Sequence, residues 1–233
     1  MCKKQMQSPR PKYNMKQIEK YEDLELASLE LLRGIYEYGF TKLPDLHKKC
    51  IMPIISSEPP IDVVVNAYCG TSKTAAYAIS ILNRIYPIDD STYSKGCPQA
   101  LILVSTRELA KSVSYLIKSI GRGLNVSAFP LIGGTKTTEM IENLNEIHHV
   151  IVGTPGTTWN AIVRGYLNVK YLKILIIDEF EYILDGGFKD CVEEILNSVR
   201  KINLQICLFS QDFKEERVMN FIEKELRNPV KIV

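Results

Sequence analysis

Ile61-Asp62-Val63-Val64-Val65-Asn66-Ala67-Tyr68-Cys69-Gly70-Thr71-Ser72-Lys73-Thr74-Ala75-Ala76 passes from a short apolar run, through a turn of small residues, into a helical pattern that reaches Ile85. The run Asp62–Val65 reads as a strand. A strand, a turn and then Lys-Thr opening a helix is an arrangement that cradles phosphates. Backbone N–H groups and the helix N-terminus point at the anion, the lysine neutralises the outer phosphates, and the threonine hydroxyl can ligate Mg2+. Before the lysine stands Ser72, where a glycine would remove a Cβ and let the backbone come close to phosphate. Taken by itself, the string fits a simple helix start equally well, because serine and threonine are common there as caps.

Outward from this stretch, strand and helix patterns alternate. Apolar runs recur at Ala100–Val104, Val126–Leu131, Val150–Val152, Ile174–Ile177 and Gln205–Phe209, with amphipathic stretches such as Thr106–Ile120 and Phe188–Lys201 between them. Short, continuously apolar strands are covered on both faces, which predicts an α/β domain with a parallel sheet and helices on each side. Ligands in such sheets bind beyond the C-terminal ends of the strands. Upstream, Leu26, Leu29, Leu32 and Ile35 recur at three-residue steps and predict a helix. Pro44, Pro53, Pro59 and Pro60 are expected to break the following chain into short turns. The chain thus divides into a disordered basic tail (1–20), a helical region (21–60) and the α/β domain (61–233).

A length of 233 residues with 45% apolar residues suits one large α/β domain or two small ones. Nothing approaches the ~18–20 apolar residues of a membrane span, so no membrane partner is expected. The opening MCKKQMQSPRPKYN holds no apolar run and is not a secretory signal. Six cysteines without C-x-x-C or metal spacing read as reduced thiols of a cytoplasmic protein, or a nuclear one. Lys3, Lys4, Arg10, Lys12, Lys16 and Lys20 face only Glu19 in the first twenty residues. Such a tail is either a solvated arm or a weak electrostatic hold on RNA phosphates.

The second chemical landmark is Ile174-Leu175-Ile176-Ile177-Asp178-Glu179, a buried strand ending in two carboxylates. Beside a phosphate loop, such an aspartate holds Mg2+ directly or through water, and the glutamate orients and polarises the attacking water. A chance acidic turn is the alternative. Other landmarks follow in order: Leu31-Leu32-Arg33-Gly34-Ile35-Tyr36 with Tyr38-Gly39-Phe40, Ala78-Ile79-Ser80-Ile81-Leu82, Thr106-Arg107-Glu108-Leu109-Ala110 and Ile132-Gly133-Gly134-Thr135. They continue with Ile151-Val152-Gly153-Thr154-Pro155-Gly156, Tyr166-Leu167, Gly187-Phe188-Lys189-Asp190 and Asn228-Pro229-Val230. Together they resemble the DEAD-box RNA helicases, and within them the translation-initiation type, from Tyr21 to the last residue.

The resemblance implies a RecA-like P-loop NTPase domain, the N-terminal half of such a helicase, with ATP and Mg2+ as cofactors. By it, Phe40, Lys42 and His47 would read adenine, with His47 at the family's glutamine position. Ala67, Cys69, Gly70, Thr71, Ser72, Lys73 and Thr74 would bind the phosphates, Thr74 and Asp178 the metal, and Lys73, Asp178 and Glu179 would be catalytic. Thr106, Arg107, Gly133, Gly134, Thr154, Pro155 and Gly156 would grip the RNA backbone without reading bases. A helical-repeat scaffold protein of translation or RNA processing is the implied protein partner. Departures accompany the match: Ser105 stands for a proline, Thr157 for an arginine, and Asp178-Glu179-Phe180-Glu181 for Asp-Glu-Ala-Asp. Ser210-Gln211-Asp212 stands for Ser-Ala-Thr, which is expected to set Asp212 against Glu181 and break the link between hydrolysis and strand separation. The sequence ends where the family's linker to a second RecA-like domain would begin, and that domain normally supplies arginines worth ~10³–10⁵ in rate. Three functions fit: a helicase-like domain of weak or lost activity that binds RNA, nucleotide or a partner; an ATP-hydrolysing half completed in trans; or a ligand-free interaction module.

Overall fold

The computed structural model describes residues 18–67, 73–85, 97–200, 204–212 and 214–232. Most of the basic tail, residues 1–17, lies outside them, as do Cys69, Gly70, Thr71 and Ser72 of the phosphate loop.

Seven strands form one fully parallel sheet: β1 (Val63–Asn66), β2 (Ala100–Leu103), β3 (Ala128–Leu131), β4 (Val150–Gly153), β5 (Ile174–Ile177), β6 (Gln205–Ser210) and β7 (Val230–Ile232). Their order is β3-β4-β2-β5-β6-β1-β7. Register is set by pairs such as Val64 with Leu208, Leu101 with Leu175 and Ile176 with Cys207. Successive side chains point to opposite faces, so each apolar strand feeds two cores. Val63, Val65, Ile102, Val152, Ile176 and Phe209 enter one cluster, while Val64, Leu101, Leu103, Ile151, Leu175 and Leu208 enter the other. The first is closed by α1 (Leu29–Glu37), α2 (Asp45–Ile55), α3 (Lys73–Ile85) and α4 (Arg107–Ile120). The second is closed by α5 (Thr137–Leu144), α6 (Pro155–Val163), α7 (Phe180–Asp185), α8 (Lys189–Val199) and α9 (Glu216–Glu225). The sheet is therefore covered on both faces, as its unbroken apolar strands require. None of the described helices is long and apolar enough to cross a membrane.

Three expectations need correction. The proline-rich stretch holds an eleven-residue helix, α2, with Pro44 as its N-cap and Pro53 in its last turn. A proline near the end of a helix removes only one backbone donor, and burial of Cys50, Ile51 and Ile54 outweighs it. In α1 the buried residues are Leu31, Gly34 and Ile35; of the expected row Leu26, Leu29, Leu32 and Ile35, only Ile35 is buried, Leu26 and Leu32 pack partly against the core, and Leu29 is 79% exposed. Ser28 caps that helix by accepting from the Leu31 N–H at 3.1 Å, so Leu26 precedes it and the helical phase starts later. The third concerns β7, a strand that the apolar runs do not predict, since it has only three residues, one of them Lys231. It is held by Asp62, buried at the head of β1. The Asp62 carboxylate accepts from the Ile206 N–H (2.9 Å) and the Arg227 N–H (2.7 Å), and its carbonyl accepts from Val230.

Candidate functional site

The C-terminal ends of β1, β2, β5 and β6 converge, and the polar residues just beyond them make the site. Ala67 closes β1, its N–H donating to the Ser210 carbonyl across the sheet. Lys73 opens α3 on the far side of the loop. Its side chain is almost entirely buried, with Nζ 2.9 Å from Asp178 Oδ1 and 3.7 Å from Glu179 Oε1. Asp178 follows β5 and is fully buried. Its Oδ1 also accepts from the Glu179 N–H at 2.8 Å, and its Oδ2 from the Tyr77 hydroxyl at 2.9 Å.

Glu179 has a left-handed backbone, with φ +53° and ψ +49°. A non-glycine residue there carries strain of order 1 kcal/mol, kept only where surroundings enforce it. The surroundings here are the bond to Asp178 and a second one, from the Ser105 hydroxyl to Glu179 Oε2 at 2.8 Å. The substitution at position 105 therefore supplies a donor to the glutamate. Phe180, bulky at a position where the resemblance implies alanine, is fully buried against Phe221 with ring centroids 4.3 Å apart.

Burial favours the neutral form of Lys73, but Asp178, with Glu179 and Glu181 beyond it, more than reverses this and holds the ammonium above its ordinary pKa. Burial dominates for Asp178 and keeps its carboxyl above the usual carboxylate range, against the pull of Lys73 and Tyr77. Lys73 Nζ lies within ion-pair distance but makes no hydrogen bond of acceptable angle among the described residues. A buried ammonium with donors to spare beside two carboxylates fits a nucleotide phosphate and a hard cation such as Mg2+. That cation binds through one or two protein oxygens plus substrate phosphates.

Glu181 differs from expectation. Its Oε2 accepts from the Ser210 hydroxyl at 2.7 Å and from the Gln211 N–H at 3.3 Å. Asp212 instead accepts from the Lys214 N–H at 2.8 Å, within its own turn. The longer glutamate reaches back to the first residue of the Ser-Gln-Asp string, so a contact between the two strand ends is present through Ser210.

Of the residues expected to read adenine, Phe40 and His47 are brought together, with ring centroids 6.0 Å apart, while Lys42 is exposed. His47 is fully buried, its Nδ1 2.7 Å from the Tyr21 hydroxyl. The residues expected to grip RNA line the ends of β2, β3 and β4. Thr106 caps α4, accepting from the Leu109 N–H at 3.1 Å, and leaves Arg107 exposed. The Arg107 guanidinium lies over Gly133 and Gly134, so close that a Cβ on Gly134 would sit 2.8 Å from Nη1. Thr154 opens α6 ahead of Pro155 without capping it and donates to the Thr157 hydroxyl at 3.2 Å. Gly156 lies under the half-exposed Phe188 ring.

Tyr77, Ser105 and Ser210 hold the acidic strand end, and the sequence motifs assign none of them that role. Tyr77 could have been found from its place one helical turn after Lys73, on the same side of α3. Ser105 and Ser210 could have been found because each follows or ends a strand beside β5.

A parallel α/β sheet with a lysine–aspartate–glutamate cluster at its strand ends is a domain of the RecA-like class. The DEAD/DEAH box helicase family matches residues 45–218, and the chain belongs to that family. It is 36% identical over 216 residues to eukaryotic initiation factor 4A of Caenorhabditis elegans, covering 93% of this chain and 51% of that protein. The ATP-dependent RNA helicase eIF4A of Chaetomium globosum is 35% identical over the same shares. The chain thus spans about half the length of these relatives. Among solved structures, a DEAD box protein from the hyperthermophile Methanococcus jannaschii superposes with a TM-score of 0.82 at 30% identity, over 92% of this chain and 56% of that one. S. cerevisiae Dbp5 bound to RNA and ADP BeF3 superposes with a TM-score of 0.79 at 27% identity, over 93% and 52%.

Proposed function

We propose that this domain binds ATP with Mg2+ through Lys73, Thr74 and Asp178, and the RNA sugar–phosphate backbone along Thr106–Arg107, Gly133–Gly134 and Thr154–Gly156. It acts through binding, with weak turnover of its own. The supporting observation is the Lys73 ammonium, buried 2.9 Å from Asp178. Bound Mg2+ would neutralise charge on the outer phosphates. Lys73 would hold those phosphates electrostatically. Glu179, fixed by Ser105, would orient a water for attack. The case for weak turnover rests on a buried His47 where an adenine reader was expected and on Ser72 in the loop. For a protein partner we propose a helical-repeat scaffold. Among its structural neighbours, Dbp5 is seen bound to Nup159 and Gle1.

Titration calorimetry with ATP and Mg2+ tests the reading. Binding should be measurable at millimolar nucleotide or below, be lost in Lys73→Ala and be strengthened in Ser72→Gly. No binding by any of the three would sink it and leave an interaction module. A second reading is favoured by the Ser210–Glu181 bond, which preserves a link between strand ends: the chain hydrolyses ATP once a second RecA-like domain is supplied in trans. RNA-stimulated turnover near that of an active family member on mixing the two would favour that reading over the first.

A further inference from the structure

Tyr77 is fully buried on α3, four residues after Lys73, its ring edge-on to Phe209 with centroids 5.2 Å apart. Packing explains the ring, but a phenylalanine would pack the same way. The hydroxyl adds what phenylalanine lacks. It donates to Asp178 Oδ2 at 2.9 Å. Lys73 and the Glu179 N–H take the other carboxylate oxygen, Oδ1. The two oxygens of Asp178 are thus divided, Oδ2 turned to the interior and Oδ1 to the lysine. The aspartate that would hold the metal is tied to a buried phenol.

We infer that Tyr77 is a positioning residue for the magnesium ion, holding the Asp178 carboxylate in the orientation in which it would meet the cation. This rests on reading Lys73, Thr74 and Asp178 as the nucleotide–metal site. Groups that orient metal ligands in this way are worth about 10–100-fold in metal affinity when removed. The hydroxyl supplies no charge and touches no phosphate, so its loss should act on the metal and not on nucleotide binding without metal.

The test is a Mg2+ titration of nucleotide affinity, read by fluorescence of a labelled ADP, for the wild type, Tyr77→Phe and Ser80→Ala. Ser80 is equally buried on α3, but its hydroxyl donates to the Ala76 carbonyl at 2.8 Å and reaches no site residue. Tyr77→Phe should raise the Mg2+ midpoint about tenfold and leave metal-free nucleotide affinity within about twofold. Ser80→Ala should change neither. Equal midpoints for wild type and Tyr77→Phe, or the same shift in Ser80→Ala, would overturn the inference while leaving the nucleotide site standing. A wild type that binds no nucleotide at any Mg2+ concentration would overturn both. Independently of the variants, a 13Cζ-tyrosine label at position 77 of the wild-type chain should shift when Mg2+ is added to its nucleotide complex. A resonance that stays in place would equally count against the role.

Discussion

The Ser210 hydroxyl donates a 2.7 Å hydrogen bond to Glu181 Oε2, joining the end of β6 to the helix that follows β5. The second oxygen of Glu181 is buried without a hydrogen-bond partner among the described residues, so Ser210 and the Gln211 N–H carry what stabilisation the carboxylate has. Deleting one donor to a buried acceptor costs about 1–3 kcal/mol. Ser210→Ala should therefore lower the urea-unfolding free energy by that amount. Glu181→Asp, which withdraws the carboxylate by one methylene, should lose a comparable share, and the double variant should cost little more than either. Fully additive losses would mean that the two residues do not act on each other.

The Lys73–Asp178 pair predicts a larger effect. Both side chains are almost wholly buried, and removing one partner of a buried pair leaves an uncompensated charge, at a cost of about 3 kcal/mol. Lys73→Ala should destabilise by about that much even without nucleotide. Asp178→Asn added to it should recover part of that, because the buried Asp178 charge is removed while the amide oxygen still accepts from one of the two donors, Tyr77 or the Glu179 N–H. Chemical denaturation of the single and double variants, with slopes compared to show that unfolding stays two-state, checks this.

Asp178 and Glu179 were legible in the sequence because they sit directly beyond an apolar run, where a parallel sheet gathers its polar groups, and Lys73 because it opens a helix after the small-residue turn that follows another such run. Their partners were not. Tyr77 and Ser105 are 101 and 74 residues from the carboxylates they hold, and no periodicity links positions that far apart. The phase of α1 was misread for a different reason. Leucines at 26, 29 and 32 share a helical face only if the helix already includes Leu26, and Ser28 starts it later. The sheet was read more fully than the helices because six of its strands are continuous apolar runs. β7 depends instead on the buried Asp62, whose role is set by backbone N–H groups far along the chain.

Gly34 carries a prediction of pure packing. A Cβ there would lie 1.9 Å from the Ile120 carbonyl oxygen, backbone against backbone, where α1 crosses the end of α4. Neither side can rotate away, so Gly34→Ala must push the helix off. Overpacking of this kind costs about 3 kcal/mol, and the melting temperature should fall accordingly. Gly123→Ala is the comparison: its added carbon would come no nearer than 3.3 Å to Glu30 Cβ and 3.7 Å to the Glu30 carbonyl oxygen, and the change should stay within about 1 kcal/mol.

Arg107 and Gly134 test the proposed RNA face. Gly134 has φ +93°, and an added Cβ would strike the guanidinium. Arg107→Ala should remove one phosphate contact and flatten the dependence of log affinity on log salt by about 0.7 for a single strand. Gly134→Ala, which displaces the arginine without deleting it, should weaken binding with a smaller change in slope. Fluorescence anisotropy with a labelled poly-uridine strand at several salt concentrations separates the two.

His148 sets an acid limit on stability. Its ring stacks on Phe129 with centroids 4.9 Å apart; Nδ1 lies 2.9 Å from the Ser127 hydroxyl, and Nε2 2.9 Å from the Asn143 carbonyl oxygen. The carbonyl can only accept, so Nε2 carries the proton in the neutral ring and Nδ1 accepts from Ser127. Burial lowers the histidine's pKa below 6.5, outweighing the Asn143 bond that opposes it. The unfolded chain therefore takes up a proton, at pH values just below 6.5, that the folded chain refuses, so unfolding gains protons and stability falls as the solution is acidified through that window. Above pH 6.5 both states are neutral at this position and the contribution is flat. His148→Gln, which keeps a donor and an acceptor but does not titrate, should remove this part of the acid slope. Melting temperatures of the two proteins, compared between pH 7.5 and pH 5, should diverge only below about 6.5. Parallel curves would show that the acid sensitivity comes from another group.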